Sequence, residues 1–369
     1  MQDSTKISNG QLFLLLITVV APTAFLYVPA ISVASANRDA WLSILVPATF
    51  YGLGVVWVTA SLSLRFPGET CDQYFPRILG KPLAFLVELA FLAFLFLITI
   101  VVIKEFGNFL NTAFMPKTPI QVFNFSMIFL SAFAAYHGLE VVGRVIEFVF
   151  LPFLLTFLSI IFLVIPEMEF CHLFPPLENG IMPVLRGSFT ASGFRGEVFV
   201  LLWLLPHVNR PEESKRYAFL AVLFLGIILS VDTMASLMVF GGDLTGKLTY
   251  PTFILARYIF IGEVFERVEA LVMVIWVAGV IVKVGVFYTI TVNSICNCFG
   301  LKGSRWLVVI PVALILYIGS LYIFQNDPEL IKFLEQTWPP LAVTFQLALP
   351  AALLTVAWLR GVKGGKKVA

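Results

Sequence analysis

The chain has 369 residues, of which 59% are hydrophobic and only 12% are charged, and its formal net charge is +2. An average soluble domain carries about 25% charged residues, so this composition excludes an ordinary soluble protein. Apolar runs occur along the whole length, with no linker or low-complexity stretch between them. We therefore predict an integral membrane protein that forms a single domain over residues 1–369.

Ten segments are long and apolar enough to cross a bilayer as helices, which takes about 20 residues each. The sequence thus predicts an all-α, polytopic membrane protein with ten transmembrane helices, numbered here as segments 1 to 10. The predicted segments are 10–31, 41–64, 83–114, 119–137, 145–166, 187–206, 217–240, 268–298, 306–324 and 338–359. Segment 1 follows polar residues and shows no small-residue cleavage site, so we expect it to be retained.

The distribution of Lys and Arg predicts the orientation of these segments. With the N-terminus inside, the inner connections hold roughly twice as many Lys and Arg residues as the outer ones. The basic tail 360–367 contributes most to this difference, so both termini are predicted on the cytoplasmic side. We expect a short interfacial helix within the inner connection 65–82 and a helix along the outer surface within 250–267.

Segments 1 and 6 both contain helix breakers, Pro22 and Pro29 in the first and Gly193 and Gly196 in the second. Ten helices with both ends on one side can divide into two halves of five in opposite orientations. The halves would cover approximately 8–166 and 185–360, and each would begin with a broken helix. This arrangement, a five-plus-five inverted repeat, is typical of transporters whose solute site lies near the membrane midplane.

The two breaks have different chemistry. Pro22 removes a backbone donor and frees carbonyl groups that must meet protein, water or ligand. The alternative is a plain kink, in which Thr18 or a neighbouring helix replaces the missing backbone hydrogen bond. In segment 6, an unwound turn around Phe194 would offer backbone N–H groups to a ligand carboxylate. Alternatively, Arg195 and Glu197 form a structural polar cluster there.

Lys283 lies within an apolar stretch, 271–295, that is long enough to cross the membrane. An ammonium group at that depth is costly and needs a partner, a water-filled cavity or a function. It can replace a coupling cation, change protonation during a cycle, or form a structural ion pair. The sequence does not choose among the acids predicted at membrane depth, which are Glu88, Glu105, Glu147, Glu197 and Asp232.

Catalytic and metal-binding motifs are absent from the sequence. The four cysteines lack CxxC spacing, and the adjacent Cys171 and His172 match no metal motif. No phosphate-binding loop, nucleophile elbow or HExxH motif occurs. We expect neither an enzyme nor a bound metal, cofactor or nucleic acid.

An ordered set of short segments runs through the chain and resembles one known family. The segments are Lys6–Ser8 with Gln11, Gly138–Arg144, Gly196 with Glu197, Pro206, Tyr250–Thr252, Phe265–Glu269 and Trp276. Together they resemble the B subunit of spore-germinant receptors, the component similar to amino acid permeases. The resemblance covers essentially the whole chain.

The resemblance implies the fold of the amino acid–polyamine–organocation transporter superfamily and a place in the inner membrane of the endospore. There the protein would bind a small germinant, with an amino acid as the expected class, and would trigger germination. The implied partners are a membrane-embedded A subunit and a lipid-anchored C subunit. A working amino acid transporter, coupled to protons or acting by exchange, is the alternative.

The resemblance also implies a ligand pocket formed by segments 1, 3, 6 and 8. Its implied ligand-binding residues are Pro22, Thr23, Ala24, Phe94, Ile98, Phe194, Lys283 and Phe287, with Arg195 and Glu197 as supporting polar residues. The chain departs from the superfamily in segment 1, where a glycine-containing break is replaced by a sequence with Pro22 at its centre. Proline leaves less room than glycine for the close approach of a ligand to the backbone.

Overall fold

Helices make up nearly all of the described chain. The computed structural model describes residues 6–258, 268–301 and 305–364, and within these ranges no strand occurs beyond an isolated bridge between Ile7 and Val208. The α-helices are α1 (Asn9–Ala36), α2 (Ala40–Leu45), α3 (Pro47–Leu64), α4 (Cys71–Leu79), α5 (Lys81–Ala113), α6 (Ile120–His137), α7 (Leu139–Val164), α8 (Ile181–Arg195), α9 (Leu201–Leu204), α10 (Pro211–Thr245), α11 (Pro251–Tyr258), α12 (Val268–Cys298), α13 (Arg305–Tyr322), α14 (Asp327–Lys332), α15 (Trp338–Ala342) and α16 (Leu349–Leu359).

Eight helical stretches of the described residues are long and apolar enough to cross a membrane. The first of them, Asn9–Leu64, contains α1 to α3 and thus both segments 1 and 2. Segment 9 corresponds to a shorter apolar helix, Trp306–Tyr322. The prediction of an all-α, polytopic membrane fold is confirmed, whereas the number of ten crossings, the single domain and its two halves stay predictions.

Both ends of the described chain lie on one face of the helix bundle. Residues before α1 meet the chain that precedes α10, because the Ile7 N–H donates to the His207 carbonyl over 2.8 Å. Near the other end, the Arg65 Nε donates to the Val362 carbonyl over 2.6 Å. The Lys215 Nζ, 3.5 Å from Ser61 Oγ, connects these two regions. The contacts fit the prediction that both termini share a side, and the cytoplasmic assignment stays a prediction.

Segment 1 keeps its helical conformation through both prolines, so the expected break in this helix is absent and the alternative of a proline supported by its surroundings holds. Helix α1 is continuous from Asn9 to Ala36, with Pro22 and Pro29 inside it. Proline removes the N–H that would bond the carbonyl four residues earlier, but its fixed φ still fits a helix. The carbonyl that Pro29 leaves without its helical donor is that of Phe25, and it accepts a hydrogen bond from the Thr252 hydroxyl of α11 over 2.6 Å. A neighbouring helix therefore supports this interrupted turn.

Segment 6 changes its helix type at the predicted glycines. Helix α8 ends at Arg195, a 3₁₀ segment follows over Gly196–Val200, and α9 begins at Leu201. A Cβ atom at Gly193 would lie 2.6 Å from the Trp338 indole nitrogen, and one at Gly196 would lie 2.0 Å from the Gln346 Oε1. The two glycines thus permit the close approach of segment 10.

The connections contain the helices predicted for them, as far as they are described. Helix α4 lies within the inner connection 65–82, and α11 begins the outer connection 250–267. Residues 259–267 of that connection, including Phe265, Glu266 and Arg267, lie outside the described residues. Residues 365–369, which include the last part of the basic tail, lie outside them as well.

We predict that Gly193→Ala destabilises the protein by about 1–3 kcal/mol, because a methyl group there overpacks against a rigid indole. The thermal unfolding midpoint of the detergent-solubilised protein measures this effect. Gly54→Ala in α3 is the matched control, since no atom lies within 4 Å of its added Cβ. Equal midpoints for the two variants would contradict the close packing of segments 6 and 10.

Candidate functional site

Lys283 is buried in the middle of α12 and pairs with an acid on segment 6. Its Nζ donates to Glu197 Oε2 over 2.6 Å and to Thr23 Oγ1 over 2.7 Å. The side chains of Lys283 and Glu197 are 0% and 1% exposed. A buried ion pair offsets its desolvation only when its geometry is good and further hydrogen bonds are present. Both conditions hold here. Glu197 is therefore the acid that pairs with Lys283, a choice among five candidates that the sequence could not make.

The change of helix type after Arg195 places Glu197 and Arg195 in different environments. Side chains two positions apart on a helix do not face each other. The Arg195 Nη1 donates to the Val222 carbonyl of α10 over 3.0 Å, and its stem lies against Gly52 of α3. Of the two supporting polar residues, only Glu197 is joined to Lys283 by a hydrogen bond.

An aromatic cluster continues from the ion pair toward segment 10. The Phe194 ring centroid lies 5.7 Å from Lys283 Nζ, at cation–π distance, and 6.4 Å from that of Trp338. Phe94 of α5 stacks on Trp338 and on Phe345, with ring centroids 5.7 and 4.6 Å apart. The structure thus brings together Thr23, Phe94, Phe194, Glu197 and Lys283.

Segment 10 contributes residues that the sequence analysis missed. Trp338 and Phe345 are seven positions apart, a spacing that puts two side chains on one face of an α-helix. This periodicity was visible in the sequence, but nothing there related it to Phe94. The other implied ligand residues, Ala24, Ile98 and Phe287, are buried in the same hydrophobic core, at most 1% exposed.

An apolar cavity of about 80 Å³ lies between α1, α5, α7, α11 and α12. Among the implied ligand residues, only Pro22 lines it; other lining residues are Phe25, Phe109, Phe153, Trp276 and Gly279. Gly279 precedes Lys283 by four residues on α12, and residues four apart on a helix are neighbours. Lys283, Glu197 and Thr23 do not line the cavity themselves. The cavity therefore begins about one helical turn of α12 from the polar cluster.

Glu105 is a second buried acid near this cluster. It lies on α5, four residues before the cavity-lining Phe109, and is 0% exposed. Lys283 and Glu197 are the charged groups that act on it electrostatically. Neither of its carboxyl oxygens has a hydrogen-bond partner among the described residues. From the sequence, Glu105 was one of five candidate partners of Lys283 and had no other predicted role.

In the connection between α7 and α8, three side chains that are close in sequence also lie close together in space. The Glu169 Oε2 lies 3.7 Å from the Cys171 sulfur and 3.6 Å from His172 Nε2. The His172 Nδ1 lies 2.9 Å from the Met238 carbonyl of α10. The adjacent Cys171 and His172 match no sequence motif for a metal, yet the fold places their side chains around one carboxylate.

Comparisons with known proteins agree on one family and one fold. The sequence model of a family described as "Spore germination protein" matches residues 6–328. The chain is 27% identical to spore germination protein KB of Bacillus subtilis, over 96% of this chain and 95% of that protein. It is 22% identical to spore germination protein XB of Bacillus anthracis, over 88% of this chain and 89% of that protein.

Solved structures with the same fold are transporters. The structure of MhsT in complex with L-phenylalanine is similar with a TM-score of 0.71 and 12% identity, over 96% of this chain and 89% of that one. Mhp1, a nucleobase-cation-symport-1 family transporter with bromovinylhydantoin bound, gives a TM-score of 0.69 and 13% identity, over 98% and 82% of the two chains. At these identities the likeness establishes the fold alone.

We predict that Lys283→Met destabilises the protein by about 3–5 kcal/mol, because it leaves the buried carboxylate of Glu197 without a counter-charge. Adding Glu197→Gln should restore much of the loss, and unfolding midpoints of the four proteins in the double-mutant cycle measure the coupling. Lys104→Met combined with Glu197→Gln is the control, because Lys104 is also buried but lacks this partner. Additive effects of Lys283→Met and Glu197→Gln would contradict the ion pair.

Proposed function

This chain belongs to the spore germination protein family, and we propose that it is the nutrient-sensing membrane subunit of a germinant receptor. The observation that carries the proposal is the buried cluster of Lys283, Glu197 and Thr23 beside an apolar cavity. The cluster joins α1, α12 and the 3₁₀ segment after α8, so a ligand there would contact three helices. A small solute that binds at their junction is well placed to change how they pack.

The chemistry of the site favours an amino acid with an apolar side chain. The polar cluster offers charged groups of both signs, as the ammonium and carboxylate of an amino acid require. The adjoining cavity is lined mainly by aromatic and aliphatic side chains and suits an apolar group. We propose that the ligand contacts Pro22, Thr23, Ala24, Phe94, Ile98, Phe194, Lys283 and Phe287.

Sensing requires that the ligand prefer one of two conformations of the protein. In the proposed mechanism, the amino acid binds more tightly when segments 1 and 6 are packed as they are around Lys283. The resulting shift would pass to a membrane-embedded A subunit and a lipid-anchored C subunit in the inner membrane of the endospore. The termini would then face the spore core.

An amino acid transporter is the second candidate, and the fold shared with transporters favours it. The Lys283 ammonium would then take the place of a coupling cation between α1 and α12. Uptake of labelled amino acid into vesicles that contain the purified protein separates the two functions. Saturable uptake that Lys283→Met abolishes would identify a transporter, whereas binding without net uptake supports a sensor.

We predict that Phe194→Ala raises the nutrient concentration for half-maximal germination about 3- to 30-fold, since it removes a cation–π contact of about 0.5–2 kcal/mol and opens the site. The measurement is the loss of optical density of spores in which the receptor containing this subunit is the only one. Phe189→Ala is the matched control, because Phe189 lies on the same helix and is 57% exposed. An unchanged dose-response at equal protein level would count against the site.

A further inference from the structure

Counted with the neighbouring cluster of Lys283, Glu197 and Thr23, Glu105 is the one acid without a hydrogen-bonded counter-charge among the described residues. It is fully buried, and both of its carboxyl oxygens are without a hydrogen-bond partner there. A buried carboxylate without a partner is strongly unfavourable, and native proteins satisfy nearly all buried polar groups. The Glu105 carboxyl group must therefore either carry a proton or be paired with a cationic group.

The nearby cation does not supply this compensation. Lys283 is neutralised by Glu197 at 2.6 Å, and one of its two other N–H groups is used by Thr23 at 2.7 Å. An ammonium group has three N–H donors, so one donor of Lys283 stays available. The cluster thus has one more acid than base, with two free acceptor oxygens on Glu105 and one free donor on Lys283.

These free groups complement those of a zwitterion. Resting on the proposed function, we propose that Glu105 accepts the ammonium group of the ligand and so selects compounds with a primary amine. The carboxylate of an amino acid then meets the free N–H of Lys283. Its apolar side chain enters the cavity, which Phe109 lines one helical turn from Glu105. The ligand class is an α-amino acid with a small or medium-sized apolar side chain.

Three related probes test whether Glu105 binds the ammonium end or the carboxylate end of the ligand. They are L-valine, isobutylamine, which lacks the carboxylate, and 3-methylbutanoate, which lacks the amine. Calorimetry at pH 7 measures their Kd for the purified full-length protein in detergent, as wild type, Glu105→Gln and Glu105→Asp. Glu88→Gln is the matched control, because Glu88 is also on α5 and buried but lies 17 positions away, near the start of that helix.

We expect wild type to bind L-valine and isobutylamine but not 3-methylbutanoate. Glu105→Gln should raise the Kd for both amines at least ~10-fold, since charge-assisted hydrogen bonds are the strong ones. Glu105→Asp should lose less affinity, and Glu88→Gln should match wild type. Unliganded unfolding midpoints verify that each variant is folded.

The opposite results are distinguishable. Wild-type affinity for L-valine in folded Glu105→Gln would overturn the inference, assign only a proton to Glu105, and leave the sensor function intact. Tighter binding of 3-methylbutanoate than of isobutylamine by wild type would overturn it as well. If wild type bound neither L-valine nor L-alanine nor L-phenylalanine, the proposed amino acid sensing would fail, and this inference with it.

Discussion

The free-energy cost of burying charge at membrane depth determines which groups surround Lys283 at the centre of this protein. Lys283 has no access to water, so its ammonium is tolerated only because Glu197 and Thr23 lie within 2.7 Å of it. These contacts tie α12 to segment 1 and to the turn after α8. Any movement of one of these helices must therefore preserve, exchange or replace a charge-assisted hydrogen bond. That requirement makes the junction sensitive to a ligand that carries charges of its own.

Close packing around segment 6 holds the carboxylate in place. Gly193 and Gly196 leave room for Trp338 and Gln346, and the Gln346 amide donates to the Gly193 carbonyl over 2.9 Å. The Phe194 ring connects segment 10 to the ion pair, because its centroid lies 6.4 Å from that of Trp338 and 5.7 Å from Lys283 Nζ. Segment 10 therefore supports the site, although it carries no charge into it.

The sequence predicts the fold well because membrane helices follow from length and hydropathy alone. It also locates Lys283, because charge is rare at membrane depth, and the glycines at which segment 6 changes its helix type. It does not predict the course of segment 1, because a proline marks a missing hydrogen bond without saying whether the helix unwinds. In α1 the Phe25 carbonyl that Pro29 leaves free accepts a hydrogen bond from Thr252, 227 positions away, and the helix stays intact.

Pairing between distant residues is the part that sequence patterns leave open. Five acids were candidates for Lys283, and only the packing of α12 against segment 6 selects Glu197. The same packing leaves Glu105 without a hydrogen-bond partner among the described residues, which no local pattern indicates. Likewise, the spacing of Trp338 and Phe345 in segment 10 could be related to the site only after the structure showed Trp338 stacked on Phe94.

We place a small amino acid where segment 1, segment 6 and α12 meet. A cryo-electron microscopy structure of the full-length protein, determined with a saturating amino acid known to bind it, would show the position of the ligand. We expect ligand density in contact with Thr23 and Lys283, with the ligand side chain directed to the cavity beside Trp276. Ligand density elsewhere, with the Lys283–Glu197 pair unchanged and no density beside it, would exclude this site.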